Sequence, residues 1–562
     1  MDILTIRDMI RNAERQFDNV AFQIRREDGS FRKLTYPEAV RQIKQLMQAF
    51  KSLGLKSTDK IAILSENRPE WSVSYLAVAS YGAIAVPLDS LAENALLERV
   101  LVHSEAKYLI FSSKFKEFVD DLDIDIKLVN FDLLAEDGKC LSFGDLLRDE
   151  ISWDELDDLR DDALAAILYT SGTTGGPKGV MLSHKNIVSN VTTACSLFKV
   201  GRSDKLVSVL PLHHTFEATA GFLAPFLVGA MVTHSESLKS TKIVQNLKDT
   251  KATILVGVPL LFQLFYEGII REVLDKGPAV KFIFNVLLRL SRLLGIVGVN
   301  AGRIFFFFIH NKLGGHIRFW VAGGAAIDAD LLRAFLTLGI TIYQGYGLTE
   351  SSPVISACNS KANRFGSVGR PLPGIEIKIK DPDRSGVGEI VAKGPNIMQG
   401  YYKNEDATRE VLKDGWLYTG DLGYVDKEGF LYISGRIKDI IVSSAGVNVY
   451  PDEIEFEMSK IAYIKESCVI GRRVERGIRK GTEDVVAIVQ PDIEAFEKNG
   501  LGTEVHDMHE VIWGEIEKLN ESLPMHKRIS SLEIRLGDFP KTSTRKIKRY
   551  QVRKEMEQLW RT

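Results

Sequence analysis

Cysteine is scarce and scattered. Four residues in 562, Cys140, Cys195, Cys358 and Cys468, have neither metal-ligand spacing nor a disulfide framework, which suits a reducing compartment. Charge of one sign is lacking too. The 72 Lys and Arg nearly cancel the 74 Asp and Glu, leaving a net charge of −2 and no global bias toward nucleic acid. No apolar run reaches the roughly 20 residues that cross a bilayer. The opening residues carry early acids and no apolar core, so a secretory signal is not expected. Internal repeats and low-complexity tracts are missing as well. What remains is an ordinary soluble composition, 45% apolar and 26% charged, in a chain too long for one core. A cytoplasmic, multi-domain, enzyme-sized protein is the expectation.

Short apolar runs alternate with helical patterns through the first half. The segments 60–64, 83–87 and 107–111 read as buried strands, and 70–82 reads as a helix. This alternation predicts α/β layers with parallel sheets. From 386 to 432 the texture changes to short, turn-punctuated strands. Beyond Arg436 the pattern is α+β, with strands at 468–470 and 484–490 and a helix over 510–519.

The densest signal follows the apolar run 165–168. It reads Tyr169-Thr170-Ser171-Gly172-Thr173-Thr174-Gly175-Gly176-Pro177-Lys178-Gly179. Four aliphatic hydroxyls, four glycines and one lysine at the end of a buried strand suit a polyphosphate. Glycine lets the backbone N–H groups turn toward an anion, and ligands of parallel sheets bind beyond the carboxyl ends of strands. The spacing is not that of a Walker loop, because Pro177 precedes Lys178 and Gly179 follows it.

This loop resembles the phosphate loop of the adenylate-forming superfamily of acyl-CoA synthetases, peptide-synthetase adenylation domains and luciferase. Six further segments between 211 and 549 resemble the same superfamily in the expected order. In Pro211-Leu212-His213-His214-Thr215-Phe216-Glu217, the resemblance places His214 beside the acyl carboxylate. Gly323-Gly324-Ala325-Ala326 resembles the adenine segment, where small residues let a purine approach the backbone. Gln344-Gly345-Tyr346-Gly347-Leu348-Thr349-Glu350 resembles the segment that holds the acyl-phosphate, with Thr349 on the α-phosphate and Glu350 offering hard oxygen to Mg²⁺. Thr174 is implied as a second Mg²⁺ contact, and Thr170, Ser171, Gly172, Thr173 and Lys178 complete the nucleotide site. Asp421, at the end of an expected strand from Trp416, and Arg436 are implied on the ribose hydroxyls. Asp439 matches the family's hinge. In Pro540-Lys541-Thr542-Ser543-Thr544-Arg545-Lys546-Ile547-Lys548-Arg549 the register makes Lys546, not Lys541, the adenylation lysine. Arg545 stands where the family usually has glycine.

The fold implied is α/β. A large N-terminal domain of layered sheets covers 1–436, with a small β-rich subdomain over about 350–436. A small, mobile α+β domain covers 437–562. The reaction implied is activation of a fatty acid, ATP serving as co-substrate, to acyl-AMP with release of pyrophosphate, followed by transfer to CoA. Lys546, Mg²⁺ on Glu350 and the loop donors would offset the repulsion between two anions. No protein nucleophile is needed, which accounts for the lack of a Ser/His/Asp arrangement. Ser444 and Gly446 would then line the path of pantetheine, while Arg472, Arg473 and Arg476 either meet the CoA phosphates or form a solvated face.

Between Asp275 and Asp328 no acid occurs, yet seven Lys and Arg do. On a helix Lys281, Asn285, Arg289 and Arg292 form one stripe, with Phe282, Ile283, Phe284, Val286, Leu287, Leu290, Leu293 and Leu294 on the remaining face. The aromatic run 303–309 follows. Two readings stand for 281–310: peripheral contact with the inner face of an anionic membrane, or packing on the protein's own sheet. The form of 211–217 and this insertion resemble long-chain fatty acid–CoA ligases. Competing readings are transfer to an acyl-carrier protein, activation of a medium-chain or aryl acid, and an inactive lipid- or nucleotide-binding scaffold. A nucleic-acid partner is not expected, and a homodimer is allowed.

Overall fold

The structure, a computed structural model, describes residues 3–135, 138–170, 177–442, 448–474, 482–542 and 546–561. The chain divides into two compact units. The first comprises 1–377 with 392–417, and the second 378–391 with 418–562. This division differs from a cut at 436, because strand Leu431–Arg436 packs on helix Pro451–Met458 and so groups with the tail.

Two large sheets build the first unit. The eight-stranded sheet runs, in spatial order, Gly400–Tyr401, Lys178–Ser183, Leu164–Thr170, Ile84–Pro87, Lys60–Leu64, Tyr108–Phe111, Lys127–Asn130 and Cys140–Ser142. From Leu164–Thr170 onward its neighbours pair in parallel, and these strands are almost wholly buried, as parallel strands covered on both faces must be. The expected strands at 60–64, 83–87 and 107–111 all lie here. The expected helix over 70–82 is Pro69–Tyr81. It is buried on nearly every side and ends where Gly82 takes the left-handed conformation, φ 100°.

The nine-stranded sheet has the order Arg370–Pro371, Val354–Ala357, Ile342–Gly347, Phe319–Ala322, Ile254–Gly257, Lys205–Ser208, Met231–His234, Val20–Arg25 and Phe31–Thr35. Its middle is parallel. Phe262, Trp320 and Phe335 pack together beneath it. Helix Pro278–Ile296 follows.

In the second unit, strands Ile464–Arg473 and Glu483–Pro491 pair antiparallel, and Ser531–Ile534 joins in parallel. Alternation sorts their side chains to two cores. Val469, Ala487 and Val489 face Ile454, Ile512 and Ile516, whereas Cys468, Ile470, Val486 and Ile488 face Phe539, Val552 and Met556. The expected helix over 510–519 is longer, Val505–Ser522. All four cysteines are buried, with no disulfide.

Candidate active site

The phosphate loop joins two paired strands. Leu164–Thr170 and Lys178–Ser183 run antiparallel, with Tyr169 opposite Gly179 and Thr170 opposite Lys178. The loop therefore leaves the carboxyl end of a strand that is parallel to Ile84–Pro87, as expected. Ser171, Gly172, Thr173 and Thr174 lie outside the described residues. Gly179 is required by contact: a Cβ there would lie 2.8 Å from Ile167 and 3.2 Å from the Tyr169 ring.

A residue that sequence reasoning missed sits between this loop and Glu350. The ring centroid of Tyr401 is 4.9 Å from the Lys178 ammonium, and its hydroxyl donates to Glu350 Oε1 at 2.8 Å. Tyr402 N–H donates to the carbonyl of Gly179 at 2.7 Å. A Gly-Tyr-Tyr triplet has no periodicity of its own, and only its pairing with 178–183 reveals the role.

Gln344, Gly345, Tyr346 and Gly347 form the end of strand Ile342–Gly347, and Thr349 and Glu350 lie in the tight turn after it. Gly347 admits no side chain, since a Cβ would lie 1.8 Å from the carbonyl of Pro353. Gly323, Gly324 and Ala325 follow strand Phe319–Ala322. The space beside Gly323 is bounded by the ring of Phe216, 2.8 Å from where a Cβ would sit.

The segment 211–217 is pinned from several directions. Asn67 donates to the Leu210 carbonyl at 2.6 Å and accepts from Leu212 N–H at 3.0 Å. The His213 and His214 rings stack with centroids 4.2 Å apart. His213 Nε2 lies 3.3 Å from Asp89 Oδ1. Burial holds both imidazoles below the ordinary histidine range, and for His213 the neighbouring His214 adds to it. Glu217, also missed as a group in its own right, opens a π-helical turn and is fully buried. Burial pushes its carboxyl up to about 8, and neither carboxyl oxygen has a hydrogen-bond partner among the described residues. Gly221 leaves room for that carboxyl, because a Cβ would approach it to 2.3 Å.

The second unit gathers the other predicted residues. Asp421 does not end its strand. It sits in the middle of Trp416–Val425, opposite Arg436 on Leu431–Arg436. The continuing Leu422-Gly423-Tyr424-Val425 run has its own pairing partners, a signal that the Thr-Gly-Asp turn residues obscure. Asp421 is buried, and its Oδ1 lies 2.8 Å from Arg436 Nε. Lys546 is accessible by area yet stands in a crowded, charged recess. The crowding, then the like charge of Arg436, lowers its pKa, while Asp452 and Asp421 pull it back up. Lys541 is held elsewhere, by Glu466 at 2.7 Å. Asp439 pairs with Arg549 at 2.8 Å, and Arg549 also reaches Asp452 at 2.7 Å and Glu455 at 2.6 Å. Of the residues assigned to CoA, Ser444, Gly446 and Arg476 lie outside the described residues, as does Arg545. Arg472 lies over the Trp560 ring at 5.4 Å and is in register with Asp484, and Arg473 with Glu483.

Comparison with known proteins shows the family and the fold. The AMP-binding enzyme family matches residues 9–402, and the AMP-binding enzyme C-terminal domain matches 438–560. The chain is 30% identical to the long-chain-fatty-acid–CoA ligase FadD15 of Mycobacterium bovis, over 87% of this chain and 82% of that one. It is 28% identical to the long-chain-fatty-acid–[acyl-carrier-protein] ligase AEE15 of Arabidopsis thaliana, over 90% and 79%. Among solved structures, ATP-bound MatB from Rhodopseudomonas palustris superposes with a TM-score of 0.78 at 24% identity, covering 99% of this chain and 100% of that one. MenE from Bacillus subtilis with ATP and magnesium gives 0.74 at 22% identity, covering 97% and 99%.

Proposed function

The chain belongs to the AMP-binding enzyme family, and from that premise we propose that it is an ATP-dependent long-chain fatty acid–CoA ligase. The observation that carries the reading is the Asp421–Arg436 pair, 2.8 Å apart, with Lys546 close enough to feel both charges. More than a hundred residues separate the lysine from its neighbours, and a carboxylate for ribose beside a cation for phosphate is what adenylation requires. The acid attacks the α-phosphorus of ATP. An acyl–oxygen–phosphorus bond forms, the α–β bridge breaks, and pyrophosphate leaves. Lys546 would meet the charge that develops on the phosphates. The neutral His213 and His214 lie with the acyl carboxylate, where they can donate hydrogen bonds without holding it as an ion pair.

Glu350 fits a hard divalent cation. One oxygen is taken by Tyr401, and no second donor reaches the other among the described residues. No cluster of three or more His, Cys, Asp or Glu is placed to hold a metal by itself among the described residues. That suits Mg²⁺, which is commonly held by one or two carboxylates and substrate phosphates; when bound it supplies positive charge to those phosphates.

Thioester formation then follows from movement of the segment beyond 436 about Asp439, with the CoA thiol displacing AMP. The relative that acts on an acyl-carrier protein keeps that acceptor as the second reading. Long-chain specificity is supported by the similarity to FadD15 and by helix Pro278–Ile296. No helix among the described residues is long and apolar enough to cross a membrane. Yet Phe282 is 70% exposed, Leu293 61% and Ile296 82%, and Lys281, Arg289 and Arg292 are exposed beside them. Such a face suits peripheral contact with the anionic inner face of a membrane, where a long acyl chain resides.

Incubation with MgATP, CoA and acids from acetate to stearate, plus benzoate, tests the reading by mass spectrometry. Long-chain acyl-CoA with equimolar AMP is expected. Acyl-AMP without thioester would move the acceptor to a carrier protein, and no AMP with any acid would leave only a binding scaffold.

A further inference from the structure

Residues 396–402 form a strap between the phosphate loop and the turn that carries Glu350. At one end, Gly400 and Tyr401 pair with Met181 and Val180 on the strand leaving the loop, and Tyr402 N–H is bound to Gly179. At the other, Met398 N–H donates to the Glu350 carbonyl at 2.9 Å, and Asn396 Nδ2 to that of Ser351 at 2.8 Å. Tyr401 is buried in this strap, 6% exposed, as are Asn396 and Met398. Its backbone N–H is held by Thr408 Oγ1 at 2.9 Å, so the ring has a fixed origin. One face of that ring underlies Lys178, and the hydroxyl ends on Glu350.

We propose that Tyr401 is a positioning residue for the metal–nucleotide end of the site. The phenol occupies one oxygen of Glu350 and thereby turns the other toward the divalent cation that accompanies ATP. The ring restrains the Lys178 ammonium by cation–π attraction, so that it meets phosphate without reorganising. Neither role is exchangeable with a purely structural tyrosine. The hydroxyl acts on the cation and the ring acts on the nucleotide. The inference rests on the reading of Glu350 as the metal-facing carboxylate.

The test uses the full chain with a non-hydrolysable α,β-methylene ATP analogue. Calorimetry measures analogue affinity without metal, and electron paramagnetic resonance measures Mn²⁺ affinity in its presence. Tyr401→Phe keeps the ring and is expected to weaken Mn²⁺ about tenfold, the effect of losing one hydrogen bond to a charged group, while metal-free analogue affinity stays within about twofold. Tyr401→Leu should weaken both. Tyr401→His returns a ring N–H and should recover part of the Mn²⁺ affinity, which keeps the test available if the phenylalanine variant folds poorly. Unchanged Mn²⁺ affinity in Tyr401→Phe, or an equal loss with and without metal, would overturn the proposal. Glu350→Gln separates the two readings. If it also leaves Mn²⁺ affinity unchanged, the assignment of Glu350 fails; if it alone weakens Mn²⁺, only the role of Tyr401 does.

Discussion

A carboxyl group with no exposure is costly to ionise, and Glu217 shows the consequence. Its pKa rises from 4.5 to about 8, so it is mostly neutral at pH 7 and puts no charge into the core beside the His213–His214 segment. The native state keeps this proton up to about pH 8, whereas the unfolded chain releases it near 4.5. The contribution is therefore full below 4.5 and is lost as pH rises toward 8, by at most about 1.4 kcal/mol per pH unit. Glu217→Gln removes that slope. Melting temperatures at pH 5, 6.5 and 8 should show the variant gaining on the wild type as pH increases; parallel curves would mean that Glu217 is not protonated in the fold. Lys546 makes a different residue-scale prediction. Lys546→Ala should slow pyrophosphate release by roughly 100-fold or more, the size of effect seen when one transition-state donor is lost. Transfer to CoA from pre-formed acyl-AMP should fall far less. Equal losses in the two half-reactions would remove Lys546 from the adenylation step.

At the scale of elements, helix Pro278–Ile296 leaves most of its apolar surface unburied, with only Phe284 and Ser291 fully buried. Of its two sequence readings, packing on the protein's own fold holds only for that narrow face, which meets helices Pro259–Asp275, Gly302–Phe305 and Ala329–Thr337. Binding to phosphatidylglycerol-rich vesicles in a flotation assay tests the remainder. Reversing Lys281, Arg289 and Arg292 to glutamate should weaken it about 100-fold at low salt, each lost cation being worth about 1 kcal/mol. Binding that ignores both these charges and salt would rule out an electrostatic contact. The same helix shows what a sequence can and cannot convey. Its periodicity was legible, as were Lys60–Leu64 and Tyr108–Phe111, because runs of buried aliphatics announce themselves locally. Which face of the helix is covered depends on segments far away in sequence. Tyr401 escaped notice for the same reason, since its partners Lys178 and Glu350 are brought to it only by sheet pairing. The π-helical turn at Glu217 has no periodic signal at all.

For the whole molecule, the question is how one chain would keep Lys546, the lysine proposed for adenylation, in place and later release it. Arg549 gives a physical handle on this. It lies three residues beyond Lys546 and joins Asp439, Asp452 and Glu455 through one guanidinium. The segment carrying the lysine is thus tied, within the second unit, to the turn Ile437–Asp439 on which rotation would occur. Arg549→Gln leaves Asp439, Asp452 and Glu455 without the guanidinium that joins them, with Lys546 and Arg436 near Asp452 left to offset their charge. A fully buried arrangement would lose about 3–5 kcal/mol. Here Asp452 is 45% exposed on its side chain and Asp439 25%, so solvent screening brings the cost nearer about 2 kcal/mol. Calorimetric melting of the variant should show that loss in the transition that includes the second unit. The functional consequence should be asymmetric. Lys546 loses its anchor, so pyrophosphate release should slow by about tenfold or more, while transfer from pre-formed acyl-AMP to CoA changes by less than about threefold. Asp439→Asn, which keeps the volume and weakens one arm of the network, should fall between wild type and Arg549→Gln on both readouts. Should both half-reactions fall in proportion to the lost stability, Arg549 would be a fold-stabilising group alone, and control of the lysine would have to reside elsewhere in the turn after Arg436.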